Sequence, residues 1–486
     1  MLTLSDKEYS GMEGRLMKMY INGEWVDRAE TMPVFNPFDQ SVIDTVPRGT
    51  AADVELAITS AARGAKIMAK MPAHERYQIL NRAAQLMAER LEDLGRTITL
   101  EEGKVISEGR GEVGRAIQTI TQSSEEAKRL HGETVPLDAA PGISSQFGFT
   151  IRVPVGVVAA IAPFNFPLNL VCHKVGPAIA AGNSVVLKPA GDTPLSGLKL
   201  TEILLEAGLP PEAIQCVTGS GGEIGDAITG DPRVRKITFT GSMEVGDRIC
   251  RNAGIKKVTM ELGSNSPLIV MSDADIEKVA AATVAGGFAN AGQVCISTQR
   301  VFADKRIYAD FLDALVEPTE NFITGNPVDE AIKMGPMIRE SDAARVHEWI
   351  SEAVGQGARV VAGGDREGTL HAPTVVADAT RDMRISREEL FGPAVAVSSF
   401  DNIDEAIEMA NDSRFGLSAG IFTQNIDWAM RFAREVESGN LHINSSPQWR
   451  ADLMPYGGLK DSGMGKEGPG YAVHEMTELK MVVFHL

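Results

Sequence analysis

The pattern of apolar and polar residues changes along the chain. Residues 17–50 alternate apolar and polar side chains and are interrupted by Asn-Gly and Asn-Pro, which predicts β-hairpins. From Thr50, a residue that can cap the helix after it, the spacing becomes helical. Residues 73–100 continue this spacing with an apolar stripe, which predicts as core positions Ile79, Leu80, Ala83, Leu86, Met87, Leu91 and Leu94.

Residues 151–260 have a different character. Helical stretches such as TPLSGLKLTEILLEAGLP alternate here with short apolar runs that are rich in β-branched residues, namely VGVVAAIAP, NSVVLKPA, AIQCVTG and KITFTG. Strands that are buried on both faces have this composition, so we expect a parallel sheet with helices on both sides. Such sheets bind nucleotides at the carboxyl ends of their strands.

A second alternation of strands and helices runs from about residue 259 to 445. It contains a helix over 275–290 and the strand candidates RVFAD, ARVVAGG, APTVV and AVAVSSF, which predict a second α/β domain. Residues 132–154 form an extended excursion, and TELKMVVFHL at the end of the chain predicts another strand without a partner nearby in the sequence. Two such strands invite pairing across subunits.

Composition and charge limit the possible functions. A chain of 486 residues exceeds the size of one hydrophobic core, so two or three domains are expected. Its 43% hydrophobic and 23% charged residues are typical of a soluble globular protein. A net charge of −18 would repel a phosphate backbone, so we expect no nucleic-acid partner. The eight histidines are scattered, without HExxH or CxxC spacing, so no metal site is expected.

The cysteine content and the N-terminal sequence bear on the cellular compartment. Four cysteines in so long a chain make no disulfide framework, which fits a reducing environment. No run of about 18 apolar residues occurs, so no membrane segment is expected. The opening MLTLSDKEYSGMEG carries acidic residues where a signal peptide needs a basic and then an apolar stretch. We therefore expect a cytoplasmic protein.

Cys295, in FANAGQVCISTQRV, is the strongest candidate for chemistry. It follows Glu261 of VTMELGSNSP, and a thiol with a carboxylate can serve as nucleophile and water-activating base. A lone free cysteine more often packs as a small hydrophobic residue. Here the neighbours Asn290, Gly292 and Ser297 are small or polar and allow backbone amides and a substrate to approach, which favours function. Apolar or helical surroundings favour packing roles for Cys172, Cys216 and Cys250.

Seven segments form an ordered series along the chain: PFNFP, NSVVLKPA, FTGSMEVG, TMELGSNSP, AGQVCIS, EELFGPAVAV and HINSS. On these segments the chain resembles the NAD(P)-dependent aldehyde dehydrogenase superfamily along nearly its whole length. The resemblance implies an α/β fold with two doubly wound domains and a small β oligomerisation arm. It implies a dinucleotide-binding domain at 1–131 and 151–258, a catalytic domain at 259–445, and an arm formed by 132–150 and 471–486. It also implies a homodimer or homotetramer.

The resemblance implies a mechanism through covalent intermediates. The Cys295 thiolate would attack the aldehyde, and the amide of Asn165 with the backbone N–H of Cys295 would bind the oxyanion of the thiohemiacetal. Loss of hydride would leave a thioester, and Glu261 would activate the water that hydrolyses it, provided that burial raises its pKa. A CoA-acylating semialdehyde dehydrogenase or a non-catalytic scaffold of the same fold are the alternatives. Family members that acylate CoA lack the acid at position 261, so hydrolysis to the free acid is favoured.

The resemblance also implies a set of cofactor-binding residues. Lys188 would contact the adenosine ribose, and Gly241 with Ser242 would open a helix that favours the pyrophosphate. The remaining expected cofactor contacts are Phe164, Gly219, Val245, Glu389 and Phe391. Members that select NAD often carry Glu three positions after the lysine, where this chain has Gly191, with Asp192 beside it. NAD and NADP are both possible, and we favour NAD.

Substrate choice is predicted from HINSSPQWRADLMPYGGLKDSGMG and VHEMTELKMVVFHL, which resemble the branch of non-phosphorylating glyceraldehyde-3-phosphate and lactaldehyde dehydrogenases. The phosphate-using members have Arg and Tyr where this chain has Val294 and Phe166, which argues against phosphate recognition. Arg115 matches that branch, and Arg450 lies near another of its cationic positions. Taken singly, each arginine is more typical of a surface position, but together they could hold a carboxylate, phosphonate or sulfonate. We expect a short polar or anionic aldehyde.

Overall fold

A computed structural model describes residues 17–143 and 145–486. Residues 1–16, on which the expected absence of a signal peptide rests, lie outside the described part, as does Ser144 in the expected arm. No helix within the described ranges is both long and apolar enough to cross a membrane.

The strands of the described residues are, in chain order, β1 (Met19–Ile21), β2 (Glu24–Val26), β3 (Thr31–Phe35), β4 (Val42–Pro47), β5 (Thr134–Val135), β6 (Gln146–Pro154), β7 (Val157–Ile161), β8 (Ser184–Lys188), β9 (Ile214–Cys216), β10 (Val234–Thr240), β11 (Lys257–Glu261), β12 (Pro267–Val270), β13 (Arg300–Asp304), β14 (Arg359–Ala362), β15 (Arg366–Glu367), β16 (Leu370–His371), β17 (Thr374–Ala377), β18 (Ala394–Phe400), β19 (Phe415–Gly416), β20 (Ser418–Phe422), β21 (Asn440–Ile443), β22 (Leu459–Lys460), β23 (Gly463–Met464) and β24 (Thr477–His485).

The α-helices are α1 (Ala51–Met68), α2 (Ala73–Glu89), α3 (Leu91–Glu102), α4 (Ile106–Ala127), α5 (Asn169–Ala180), α6 (Leu195–Glu206), α7 (Gly221–Gly230), α8 (Met243–Ala253), α9 (Ile276–Phe288), α10 (Tyr308–Glu320), α11 (Glu340–Gly355), α12 (Arg384–Arg387), α13 (Ile403–Asn411), α14 (Ile426–Glu435) and α15 (Pro469–Glu475).

The first sheet has eight strands in the order β2-β1-β9-β8-β7-β10-β11-β23. Its centre is parallel, from β9 to β11, and all four apolar runs of residues 151–260 contribute to it. Alternation along β7 sends Val158 and Ala160 into the core beneath helices α2–α6, and Val157 and Ala159 into the core beneath α1, α7 and α8. Burial on both faces therefore explains why β7 lacks polar positions.

The second sheet has seven strands in the order β14-β17-β18-β13-β12-β20-β21. It is parallel except for the edge strand β14, and it contains all four predicted strands of this region. Leu268 and Val270 face one core, whereas Ile269 and Met271 face the other. The expected domain boundary between residues 258 and 259 falls inside β11, which belongs to the first sheet.

Two local predictions are confirmed and one is corrected near the N-terminus. The hairpins of residues 17–50 are β1–β2 and β3–β4, and Thr50 is the N-cap of α1. The continuous helical stripe of 73–100 is divided into α2 and α3, because Arg90 leaves helical geometry at φ −111° and ψ 21°. The apolar spacing survives this break, and the predicted core positions are buried except Leu91, which is half-buried.

The C-terminal strand has no partner nearby in the sequence, as expected, and pairs instead with a distant strand of the arm. β24 pairs antiparallel with β6 over its full length, from Thr477 opposite Pro154 to His485 opposite Gln146. β5 pairs with the other edge of β6. Helix α15 returns the chain to the carboxyl end of β6, and this long-range return left no local sequence signal. β24 thus pairs within its own chain, and contact of the C-terminal strand with a second subunit stays a prediction.

A glycine substitution tests the packing of α1. A methyl group at Gly64 would lie 2.1 Å from the carbonyl oxygen of Glu212, so Gly64→Ala must displace backbone. We expect Gly64→Ala to lower the free energy of unfolding by about 1–3 kcal/mol. The matched control is Gly111→Ala in the exposed part of α4, where a methyl group would meet nothing within 4 Å. The control should raise stability by about 0.5–1 kcal/mol. Urea denaturation followed by circular dichroism compares both, and equal midpoints for the two variants would contradict the packing.

Candidate active site

The candidate catalytic residues converge where the two sheets meet. Glu261 is the last residue of β11, Asn165 lies in the loop between β7 and α5, and Cys295 follows the 3-10 turn Ala289–Gly292. A cleft of about 820 Å³ reaches from Lys188 at the end of β8 to Cys295. The cleft is also lined by Asn165 and by the seven other residues expected to bind the cofactor, Phe164, Gly219, Gly241, Ser242, Val245, Glu389 and Phe391.

Cys295 is partly buried, and its thiol has one close polar neighbour. Burial raises the pKa of the thiol to about 11, whereas the Tyr456 hydroxyl, 3.1 Å from Sγ, and the charge of Arg450 act to lower it. Val294, Ile296, Leu417 and Tyr456 form an apolar cluster against which Cys295, Phe166 and Met454 pack. The thiol is therefore neutral at rest in an apolar pocket, with a hydroxyl and a guanidinium placed to stabilise its thiolate.

The turn before Cys295 is held in an unusual backbone conformation. Asn290, Ala291 and Gly292 have φ values of 50°, 52° and 68°, so three successive residues lie in the left-handed region. A methyl group at Gly292 would lie 2.0 Å from the carbonyl oxygen of Gly392, so only glycine fits there. For the two other residues this conformation costs energy, and such costs cluster at functional sites.

Asn165 is buried beside this turn. Its Nδ2 donates a hydrogen bond of 2.7 Å to the carbonyl oxygen of Gln293. An amide nitrogen has two N–H groups, so one remains for a substrate oxygen. The bond to Gln293 fixes the amide plane relative to the Cys295 loop, which is the geometry that a preorganised oxyanion donor requires.

Glu261 is buried without a hydrogen-bond partner. Neither carboxyl oxygen is bonded within the described part of the chain, and the residue is 2% exposed. Burial raises its pKa well above the ordinary value, and the nearby Glu467 raises it further. Its Oε1 would lie 2.7 Å from a methyl group at Gly457, so that glycine makes room for the carboxyl. Glu261 is therefore free of other bonds, and its raised pKa makes the ionised carboxylate a stronger base toward a water molecule.

A buried ion cluster beside Glu261 was missed by the sequence reasoning. Glu467 accepts from Lys174 Nζ at 2.8 Å and from Arg450 Nη2 at 3.1 Å, and Lys174 also donates to Thr240 Oγ1 at 2.6 Å. Although burial raises the pKa of Glu467, Lys174 and Arg450 together lower it to about 2. Lys174 lies inside the apolar helix α5, 293 residues from Glu467, so no local motif announces the pair.

Arg115 and Arg450 flank a second buried carboxylate, Asp452. Arg115 binds Asp452 through two hydrogen bonds of 2.9 and 3.0 Å, and Asp452 also bonds His173 at 2.9 Å and Asn169 at 3.0 Å. Burial raises the pKa of Asp452, but His173 and Arg115 hold it well below its usual range. Burial and then Arg450 lower the pKa of His173, so the imidazole is neutral. These contacts were not foreseen.

The expectation of a surface position for each arginine taken singly is wrong for Arg450. The Arg450 side chain is 6% exposed and its guanidinium lies 3.8 Å from the ring centre of Tyr456. Within the described residues its Nε is buried without an acceptor. Arg115 is partly exposed and lies 5.6 Å from the ring of Phe166. Both guanidiniums therefore lie against aromatic rings of the apolar cluster around Cys295.

The cleft has the features that a dinucleotide needs. Gly241 and Ser242 open α8 at the carboxyl end of β10, and Ser242 accepts from Val245 N–H at 3.4 Å. A methyl group at Gly241 would lie 2.5 Å from the Phe239 ring, so this close approach requires glycine. Lys188 is buried, which lowers its pKa to about 8. A helix N-terminus and a buried lysine at one sheet edge suit a pyrophosphate and a ribose.

The opposite half of the cleft is aromatic and acidic. The rings of Phe164 and Phe391 meet edge to face with centres 5.9 Å apart, and Phe391 has a φ of 48°. Glu389 accepts from Ser264 N–H at 3.0 Å, and burial raises its pKa to about 7. At the end of the cleft that contains Lys188, Asp192 is paired with Arg339, and a methyl group at Gly191 would meet nothing within 4 Å.

Within the described ranges no three His, Cys, Asp or Glu side chains cluster as metal ligands.

Comparisons with known proteins agree with this geometry. The 3-sulfolactaldehyde dehydrogenase of Priestia aryabhattai is 50% identical over 468 residues, covering 96% of this chain and 98% of that protein. A Methanocaldococcus jannaschii glyceraldehyde-3-phosphate dehydrogenase complexed with NADP has 36% identity and a TM-score of 0.91, covering 95% and 100% of the two chains. Betaine aldehyde dehydrogenase of Staphylococcus aureus with NAD+ has 32% identity and a TM-score of 0.94, covering 99% and 97%.

These similarities confirm the expected α/β fold and the expected use of NAD or NADP. The family model described as "Aldehyde dehydrogenase family" matches residues 25–482, which is nearly the whole described chain. The roles of the individual site residues stay predictions. The chain belongs to the aldehyde dehydrogenase family and is an enzyme that oxidises aldehydes with NAD or NADP.

Proposed function

We propose that the substrate is a short 2-hydroxyaldehyde with one anionic group, best a sulfonate, and that the product is its carboxylic acid. The observation that carries this proposal is the pair of guanidiniums beside an otherwise apolar thiol pocket. Arg450 stacks on Tyr456, whose hydroxyl lies 3.1 Å from Cys295 Sγ. The similarity to a 3-sulfolactaldehyde dehydrogenase supports the same substrate class.

The charge balance of the cluster favours an anion. Arg115, Arg450 and Lys174 are its cations, while Asp452 and Glu467 are its ionised carboxylates. The imidazole between the two carboxylates is neutral, so these five charged groups carry three positive and two negative charges. A monoanionic substrate would neutralise the excess within this set. Burying that substrate charge is then favourable, because an unpaired buried charge is costly.

The apolar wall favours a compact monoanion over a phosphate. Val294 and Phe166 stand where phosphate-using relatives have Arg and Tyr, and both contribute to the apolar cluster around the thiol. A phosphate dianion would bring two negative charges, although each arginine already faces a buried carboxylate. A sulfonate or carboxylate carries one charge, and its oxygens suit the guanidinium fork.

The proposed reaction begins with addition of the thiol to the aldehyde. Cys295 gives its proton to solvent water, and Tyr456 and Arg450 stabilise the thiolate that attacks the carbonyl carbon. The carbonyl oxygen becomes an oxyanion, which the free N–H of Asn165 Nδ2 and the backbone N–H of Cys295 bind. The cleft residues would hold NAD or NADP as the hydride acceptor. Loss of hydride from its carbon converts the thiohemiacetal into a thioester.

Hydrolysis of the thioester is assigned to Glu261. In its ionised form the carboxylate takes a proton from a water molecule whose oxygen attacks the thioester carbon. Asn165 binds the second oxyanion, the C–S bond breaks, and Cys295 leaves as a thiolate while the acid is released. A buried carboxyl at this position supports hydrolysis over transfer of the acyl group to CoA.

The arm supports self-association of the chain as a homodimer or homotetramer. Its two faces both expose large apolar side chains: Phe147 and Phe484 are 48% and 49% exposed on one, and Leu479 and Met481 are 56% and 44% exposed on the other. A sheet that packs on its own chain buries one face, so a second copy is the partner that would cover this surface.

Four free cysteines fit a reducing, cytoplasmic location.

Variants of the thiol and the base separate the two half-reactions. We expect Cys295→Ala to abolish turnover, and Glu261→Gln to give one burst of reduced cofactor per site and then stall at the thioester. In the wild-type enzyme the hydrolysis rate should rise with pH, because the active form of Glu261 is ionised and its pKa is raised. Stopped-flow absorbance measures both. Steady turnover of Glu261→Gln at the wild-type rate would remove Glu261 from the mechanism.

A matched substrate pair tests anion recognition. 3-Sulfolactaldehyde and lactaldehyde differ by the sulfonate, so kcat/KM should favour the former. Arg450→Gln and Arg115→Gln should each lower kcat/KM for the sulfonated aldehyde by about 10- to 100-fold, as expected for a charged hydrogen bond. Arg115→Gln should change lactaldehyde oxidation far less, whereas Arg450→Gln should also lower it, because Arg450 stabilises the thiolate that attacks either aldehyde. An equal loss for both aldehydes in Arg115→Gln would mean that Arg115 only maintains the pocket. A parallel series with NAD and NADP gives the cofactor preference.

Charges on the arm test self-association. Leu479→Asp combined with Met481→Asp should convert the assembly to smaller species, because the apolar face would carry buried charges. Light scattering after size-exclusion chromatography measures the mass. Ile255→Asp, at a residue that is 95% exposed outside the arm, is the control and should leave the mass unchanged. An unchanged assembly in the double variant would place the interface elsewhere.

A further inference from the structure

A lysine in the α3–α4 connection lies directly behind the candidate oxyanion amide. Lys104 is 2% exposed, and its Nζ donates 2.8 Å to the backbone carbonyl of Asn165. It also donates 2.6 Å to Glu112 and lies 3.8 Å from the ring centre of Phe166. An ammonium has three N–H donors, and these three neighbours account for all of them.

Glu112 of α4 extends this contact to the start of α5. Its Oε1 accepts from the backbone N–H groups of Leu168 and Asn169 at 2.9 and 3.0 Å, while Oε2 accepts from Lys104. The carboxylate therefore caps a helix whose first turn follows Asn165 by a few residues. The Asn165 loop and the start of α5 therefore both hydrogen-bond to the ion pair of Lys104 and Glu112. The two side chains of this pair are 2% and 1% exposed.

The same segment also holds the turn before the nucleophile. Asn290 donates from Nδ2 to Glu102 at 2.9 Å and to the Asn165 carbonyl at 3.3 Å, and from its backbone N–H to Glu108 at 3.2 Å. The Asn165 carbonyl consequently accepts from both Lys104 and Asn290. This shared acceptor connects the loop that carries the side-chain donor with the turn that leads to Cys295.

We propose that Lys104 is a positioning residue that sets the Asn165 amide for oxyanion binding. Its ammonium fixes the Asn165 backbone from one side, as Gln293 fixes the side chain from the other. Lys104 touches neither the thiol nor the cleft, so it acts through Asn165 and Phe166. The inference rests on the proposed role of Asn165 as an oxyanion donor.

The alternative is that Lys104 only neutralises Glu112 and stabilises the fold. Loss of the lysine would then lower stability without a specific effect on chemistry. A positioning role predicts a fall in kcat for both half-reactions, since the same donor serves both oxyanions, while cofactor affinity stays unchanged. A displacement of about 1 Å in such a group can cost about 100-fold in rate.

The test is a double-mutant cycle between Lys104→Met and Asn165→Ala. Lys104→Met alone should lower kcat about 10- to 100-fold with an unchanged Kd for the cofactor. In the Asn165→Ala background the same substitution should lower kcat by less than about threefold, because the donor that it positions is gone. Lys104→Arg keeps the charge beside Glu112 but is bulkier, so it should fold and still lose kcat.

Lys236→Met is the matched control. Lys236 is a fully buried lysine in β10 that bonds Thr259 at 2.6 Å, and its loss should lower the melting temperature while kcat is retained. Multiplicative effects of Lys104→Met and Asn165→Ala, or a loss confined to the melting temperature, would overturn the inference. Full activity of Asn165→Ala would instead refute the oxyanion assignment itself, and the positioning role would fall with it.

Discussion

The buried pairing of Glu467 with Lys174 and Arg450 is the interaction on which the site depends. Glu467 follows the last strand of the second sheet, whereas Lys174 belongs to α5, which packs on the first sheet. The pair therefore joins distant parts of the chain at one point behind the thiol. Removing one member would leave an uncompensated buried charge, which costs far more than the pair contributes. Because any displacement of these side chains would separate the buried charges, this energetic cost holds the pocket in one geometry.

Burial and the same cluster together shift the pKa values of the two reacting groups. Burial raises the pKa of Glu261, and the neighbouring Glu467 raises it further. Burial also raises the pKa of Cys295, to about 11, although Tyr456 and Arg450 oppose this effect. The pocket thus disfavours charge on both reacting groups while it holds permanent charges beside them. Charge on either reacting group develops only as substrate and water arrive, where preorganised dipoles have their largest effect.

The sequence predicted the features that are encoded locally. Strands β7, β8 and β10 were predicted correctly, because strands that are buried on both faces are rich in apolar and β-branched residues. The break at Arg90 was missed because the apolar stripe of α2 continues into α3. The partner of β24 was missed because β6 lies more than 300 residues earlier in the chain. Periodicity reports which face is buried, and it contains no information about which distant segment covers that face.

The candidate site divides in the same way. Cys295, Glu261 and Asn165 stand in short motifs, whereas Lys174 and His173 sit in an apolar helix and resemble core positions. The sequence makes both arginines look like surface residues, but Arg450 is buried against Glu467 and Arg115 is paired with the buried Asp452. Composition therefore cannot predict which charged residues are buried. The desolvation cost of a buried charge is offset only by a partner that folding brings close.

The positions that break local rules lie together around the reacting atoms. Asn290 and Phe391 adopt left-handed backbone, and Glu261 is buried without a bond, although ordinary core residues avoid all of these states. The surrounding packing holds these residues in place. A methyl group at Gly292 would collide with the Gly392 carbonyl, and Asn290 donates hydrogen bonds to Glu102 and Glu108. Such exceptions are expected where a sequence serves chemistry as well as stability. Their coincidence within one cleft is thus a physical signal of function that is independent of any motif.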